Sequence, residues 1–528
     1  MEKDLFDLHQ KDLTASDITD SIYPKDDLES CDLDLSSQLS SQRLFLQYTC
    51  RRRLGVLGAL PKRLLRAGSA ILPSYLRNWN SGWQAPGESQ ESHAISALDG
   101  LRGFACCAVF IYHSVTPYSH TFLYGYGGTE DHHFYQLPFL RLLFSGPSMV
   151  SIFFVVSGCV LSYKPLKLIR TKSWGQLFHT VSSSVFRRGL RLFIPAFIST
   201  FMTMLLVEGG FFNYVSTKII ENNDSSLGKY ELRASRRETF MAQFYHWLGS
   251  TRDMINPFTW EEFHNPYNGH LWTISVEFRS SLVLFLVIIA LARVRTIIRL
   301  SLVVVLMFLC SLYSRWDVAL FLSGMFIAEL DRFSGNVDTF DQKAFEARES
   351  KWRRMDRLVL ILVFIAGSYC ASYPDRGGEK TPGYRVLSAI TPPTYPMKEK
   401  WWQSIGSIMI VWSATRSSDI QWLFASAFAQ YLGKISFAVY ILHGPILHSV
   451  GLVAMTTSRK YIGRDTSMQE CLGFFVAAVV VLPTVFWSAD IFWRLVDVPC
   501  TRFSKWVEEK SRSDSAGTEF VPIPSSRT

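Results

Sequence analysis

Ionisable side chains inside long apolar runs are costly and mark functional sites, and this sequence places several of them in clusters. One apolar run opens with Asp99-Gly100-Leu101-Arg102-Gly103 and closes on Tyr112-His113. Arg102 and His113 are eleven residues apart. That is three helical turns, so they share one face about 16 Å apart along the axis. His113 is then either a reactive imidazole or a hydrogen-bonding partner for a neighbouring helix. Arg187, Arg188 and Arg191 cluster at the start of another run, with 188 and 191 on one face. Guanidinium forks suit phosphate recognition, and such arginines also anchor a helix at a membrane surface. Glu277 stands seven residues after His270, on the same face, with Arg279 close by. A buried carboxylate must be paired or protonated, so Glu277 either orients a reacting group or pairs with an arginine of another helix. Tyr440 and His443, at i and i+3 before Pro445, are spaced to line a cavity. Asp490, Arg494 and Asp497 are spaced to neutralise one another on a single helix and read as structural.

The elements that hold these groups must be membrane helices. Of 528 residues, 48% are hydrophobic and 19% charged, against about 25% charge in soluble domains. Mean hydropathy is +0.12 even with two polar tails included, so the middle is greasier still. Collagen-like, disordered and disulfide-stapled classes are excluded. Ten apolar runs read as helices, near 98–117, 145–163, 190–208, 271–292, 297–314, 316–330, 357–373, 401–415, 435–456 and 471–493. Several have uncharged cores shorter than the roughly 20 residues that span a bilayer; flanking Arg, Lys, Trp and Tyr extend them by snorkelling and anchoring. The expected fold is an all-α polytopic bundle of about ten transmembrane helices, integral to an endomembrane or the plasma membrane.

Net charge is +9, but no basic tract is interleaved with aromatics, so bilayer topology explains it better than nucleic acid does. The connection 164–191 has seven Lys/Arg and no acid, and 331–357 has seven more basic residues. Between 208 and 270, by contrast, eight acids outnumber six bases. The positive-inside rule therefore puts both termini in the cytosol; the connection 373–400, with five bases, fits this least well. Asn223-Asp224-Ser225, a glycosylation sequon, then falls on the lumenal side. Residues 1–50 read as a disordered acidic tail without a cleavable leader, 51–92 as a basic interfacial or linker segment, 93–508 as the membrane domain and 509–528 as a second disordered tail. The nine cysteines show neither CxxC nor a Cys/His metal spacing, so no disulfide framework, metal or bound cofactor is expected.

Five blocks occur in the order found in a known family. Ala97-Leu98-Asp99-Gly100-Leu101-Arg102-Gly103 with Tyr112-His113 resembles the opening of the acyltransferase 3 family of membrane acyltransferases. Phe153-Phe154-Val155-Val156-Ser157-Gly158 is similar to its second-span block, and Arg188-Gly189-Leu190-Arg191 with Pro195 to its RxxR block. His270-Leu271-Trp272-Thr273-Ile274-Ser275-Val276-Glu277-Phe278 resembles its tryptophan–glutamate block in the form fungal members carry. Leu432-Gly433-Lys434-Ile435-Ser436-Phe437 with Tyr440 and His443-Gly444-Pro445 resembles its late block. The likeness covers roughly 95–505.

That resemblance implies transfer of an acyl group, often acetyl from a CoA thioester, to a hydroxyl of a sugar, lipid or small natural product. It implies His113 as general base with Glu277 as the second catalytic group. It also implies substrate contacts from Asp99, Arg102, Ser157, Arg188, Arg191, His270, Tyr440 and His443, with acyl-CoA as co-substrate. A transporter or flippase using the same groups as a proton relay is the alternative, though no inverted repeat supports it. The implied partners are the bilayer, acyl-CoA and a hydroxylated acceptor.

Overall fold

A computed structural model describes Ser74 and residues 90–128, 132–212, 234–335, 342–393, 395, 397–463 and 465–512. The tail 1–50, nearly all of the basic segment 51–92, the sequon at Asn223 and residues 513–528 lie outside the described residues. Helices run in the order α1 (Gln90–Val115), α2 (Gly146–Arg170), α3 (Trp174–Glu208), α4 (Phe240–Ile255), α5 (Trp272–Ala290), α6 (Thr296–Leu312), α7 (Trp316–Gly335) and α8 (Gln342–Ala371). There follow α9 (Arg385–Ile390), α10 (Lys398–Arg416), α11 (Ser418–Ala425), α12 (Ala427–Ile446), α13 (Leu452–Ile462), α14 (Ser467–Phe492) and α15 (Val498–Ser511). No strand occurs among the described residues; Asn265 and Asn268 form one isolated bridge. The chain is an all-α polytopic membrane bundle.

Each of the ten apolar runs falls in a helix. Six stretches among the described residues combine the length and apolarity needed to cross a bilayer: Ile95–Val115, Gly146–Arg170, Trp174–Glu208, Gly269–Ala290, Ala427–Ile462 and Met468–Ser511. Thr296–Leu312 is apolar but shorter. The three remaining runs lie in α7, α8 and α10. For α7 the reason is physical: neighbouring helices enclose it, so it tolerates charge. Its buried Glu329 is gripped by Arg299 of α6 at 2.7 Å and Arg170 of α2 at 3.3 Å. By contrast α6 turns Ile298, Val305, Phe308 and Leu312 outward, and α14 turns Phe475 and Val479 outward. These apolar faces suit lipid.

Lipid is as apolar as the helix surfaces, so membrane helices associate through close packing of small residues. The motif glycines do this here. A Cβ on Gly103 would come within 2.6 Å of the Gly433 nitrogen, and one on Gly433 within 2.4 Å of the Asp99 carbonyl oxygen. The backbones of α1 and α12 therefore touch beside Asp99 and Arg102. Gly158 of α2 and Gly324 of α7 make a second such contact, with carbonyl oxygens 2.2 Å from either added Cβ.

Two π-helical segments, Leu447–Gly451 and Trp493–Asp497, interrupt the late helices. Such bulges shift the phase of the residues beyond them. Asp490 still pairs with Arg494 at 2.9 Å and also accepts hydrogen bonds from the Ser74 amide at 3.0 Å and the Tyr431 hydroxyl at 3.3 Å. Asp497 departs from the expected triad: the π segment carries it off that face to line a cavity.

Candidate active site

Three histidines from segments far apart in sequence converge at one end of the bundle. His113 ends α1, His270 lies in the tight turn Gly269–Leu271 that leads into α5, and His443 lies near the end of α12. Nε2 of His270 and Nδ1 of His113 are 3.0 Å apart. The His270 and His443 rings are 4.7 Å apart, and the His113 and His443 rings 5.4 Å. Nδ1 of His443 donates to the Tyr440 carbonyl at 2.7 Å, which makes its Nε2 the lone-pair nitrogen. Ring nitrogens of the three lie within 4.8 Å of one another, close enough to hold a metal ion. Such an ion would have to replace the hydrogen bond between His113 and His270. Spacing rules cannot find this trio because each member comes from a different helix or turn.

The sequence His443-Gly444-Pro445 builds the seat for His270. Proline lacks an N–H, so within a helix it frees the carbonyl four residues earlier. Pro445 sits inside α12, and the freed Ile441 carbonyl accepts from Asn268 Nδ2 at 2.8 Å. Gly444 supplies the room: a Cβ there would lie 2.5 Å from His270 Nδ1 and 2.7 Å from Asn268 Oδ1. The turn 268–271 thus docks on α12 beside His443. Tyr440 completes the seat, its hydroxyl donating to the His270 carbonyl oxygen and hydrogen-bonding Thr273 Oγ1.

Tyr440 and Thr273 also line a cavity of about 480 Å³ among α1, α2, α3, α5, α12 and α15. Its lining combines apolar side chains, including Phe153, Val156 and Phe437, with Arg102, Arg187, Arg188, Arg191 and Lys505 and with Asp99, Glu277 and Asp497. Five cations thus face three carboxylates. Arg188 Nη2 donates to Glu277 Oε1 at 2.8 Å, which Ser157 Oγ also approaches at 3.2 Å. Arg102 meets Asp99 at 3.5 Å.

The structure therefore divides the expected residues into two groups. Asp99, Arg102, Ser157, Arg188, Arg191, Glu277 and Tyr440 line the cavity, while His113, His270 and His443 cluster beyond Tyr440 and Thr273. Glu277 is the ion-pair partner of Arg188. His113 shares a hydrogen bond with His270. Arg279, two residues after Glu277, stacks over Trp260, 5.5 Å from the ring centroid. Sequence reasoning missed Asn268, Thr273, Asp497 and Lys505. A signal existed for Asn268, because a proline inside an apolar run announces a carbonyl in need of a donor.

Comparison with known proteins matches this arrangement to one family. A family profile described as an acyltransferase domain matches residues 95–494. The chain is 31% identical over 436 residues to an O-acetyltransferase, PaAT-1, of Phomopsis amygdali, covering 80% of this chain and 86% of that one. It is 27% identical to the acyltransferase clz18 of Cochliobolus lunatus (73% and 85% covered) and 28% identical to the acyltransferase R4 of a Phoma species (70% and 82% covered). No solved structure matches the chain. Helices, motif glycines and the profile over 95–494 agree: the chain belongs to the acyltransferase 3 family and is an integral-membrane acyltransferase.

Proposed function

We propose that this enzyme transfers an acyl group, acetyl in the simplest case, from a CoA thioester to the hydroxyl of a sugar, lipid or small natural product. The observation that carries the reading is the 3.0 Å contact between His113 Nδ1 and His270 Nε2. In the productive tautomer, Nδ1–H of His113 donates to His270, which leaves Nε2 of His113 as the base. That nitrogen takes the acceptor's hydroxyl proton as its oxygen attacks the thioester carbon. The C–S bond breaks, and the departing thiolate recovers the proton from Nε2, giving an ester and CoA thiol. His270 steadies the imidazolium as it forms, because hydrogen bonds to charged donors are the stronger ones.

The cavity supports the donor assignment: its cations suit the phosphates, and its apolar side chains suit the uncharged arm carrying the thioester. CoA is a cytosolic molecule, so the arginine end is assigned to the cytosol, with both termini on that side. The name of the Phomopsis relative supports oxygen as the acceptor atom and acetyl as the group moved. The test is release of CoA thiol from acetyl-CoA by purified protein, with extracted metabolites of a deletion strain as acceptors. Transfer giving one metabolite heavier by an acetyl group is expected. Thioester left intact with every extract fraction contradicts the reading.

A further inference from the structure

The family profile ends at residue 494, yet the cavity continues past it. Asp497, Thr501, Ser504 and Lys505 all line it. Steps of three and four residues put them on one face of a helix, here the end of the π segment and the start of α15. The same face reaches α3 through Glu508, whose carboxylate lies 3.0 Å from Arg187 and 3.6 Å from Arg512.

The ion pairs decide which cations remain for a ligand. Arg187 faces Glu508, Arg188 faces Glu277 and Arg102 faces Asp99. Among the described residues, Arg191 and Lys505 make no ion pair within 4 Å, although the charge of Arg191 acts on Asp497 across the cavity, and both are exposed residues of its lining. One stands on α3 inside the matched region; the other stands on α15 outside it.

We infer that α15 is the second jaw of the donor site, and that Lys505 and Arg191 grip the phosphates of the CoA donor from opposite helices. This rests on the CoA reading above and adds a binding residue that the family match does not reach. Glu508 has a defined part: it fixes α15 to α3 by engaging Arg187, a cation that would otherwise compete for the phosphates.

The test is equilibrium binding of CoA, and of pantetheine as a phosphate-free control, to the full-length protein in detergent. Lys505→Glu should weaken CoA by about fivefold or more, as expected for reversing one exposed charge near several phosphates, and leave pantetheine unchanged. Lys505→Arg should bind CoA within about twofold of wild type. Added salt should weaken CoA less in Lys505→Glu than in wild type. Arg191→Ala separates the two readings. If Arg191→Ala weakens CoA and Lys505→Glu does not, the role of α15 is overturned and the donor assignment stands. If wild type itself does not bind CoA, both are overturned.

Discussion

His113 Nδ1 and His270 Nε2 lie 3.0 Å apart although the two residues are 157 positions apart in sequence. A turn held on the backbone of a third helix closes that distance. Asn268 occupies the carbonyl that Pro445 releases, and Gly444 leaves space for the imidazole. The histidine pair is therefore a product of packing at α12.

It follows that Gly444→Ala should act on rate through His270. The added methyl would sit 2.5 Å from His270 Nδ1, so the turn must shift, and a misplacement of about 1 Å in an active site costs on the order of 100-fold. Asn268→Ala should repeat part of the loss by leaving the Ile441 carbonyl only the longer hydrogen bond from Ser199 Oγ at 3.5 Å, at about 1 kcal/mol. Acyl transfer by well-expressed Gly444→Ala at wild-type rate would dismiss the seat.

Glu277 should behave as one half of a structural pair. Its side chain is 23% exposed and that of Arg188 13%, so removing either leaves a poorly solvated charge. Each single alanine variant should lose about 2 kcal/mol or more, and the double variant less than the sum of the two. Thermal unfolding in detergent reads this cycle. Additive losses would show that the pair is uncoupled and reopen a chemical role for Glu277.

Much of this architecture is legible in the chain. The apolar runs give the helices, and the glycines of Asp99–Gly103 and Leu432–Phe437 mark where α1 and α12 touch. His113 and His443 stand out as polar groups in apolar surroundings. What stays hidden is pairing between segments: no spacing rule joins Arg188 to Glu277 or His270 to His113. Asp497 misleads for a local reason, since the π segment at Trp493–Asp497 breaks the α-helical phase on which the expected Asp490–Arg494–Asp497 triad depends.

Asp375 should give the fold a pH dependence. It lies between α8 and α9, 3.5 Å from Arg141, and accepts from Gln403 at 2.7 Å. Burial pushes its carboxyl above the ordinary range, with Arg141 opposing. A carboxyl with a higher pKa in the folded than in the unfolded chain binds more protons when folded. Its contribution is complete below the unfolded value of about 3.9 and is lost as pH rises through the folded value. The stability of wild type relative to Asp375→Asn should therefore improve as pH falls from about 7 towards about 4. A difference independent of pH would show that Asp375 titrates normally.

The most direct measurement is acyl transfer by His113→Ala alongside its affinity for CoA. Loss of a general base costs about 10²–10⁴-fold in rate, whereas loss of a hydrogen bond between membrane helices costs about 0.6 kcal/mol of stability on average. His113→Ala is expected to insert, to bind CoA as wild type does and to transfer acyl groups at less than about a hundredth of the wild-type rate. Transfer above about a tenth of that rate, by protein that is well folded, would contradict His113 as the base.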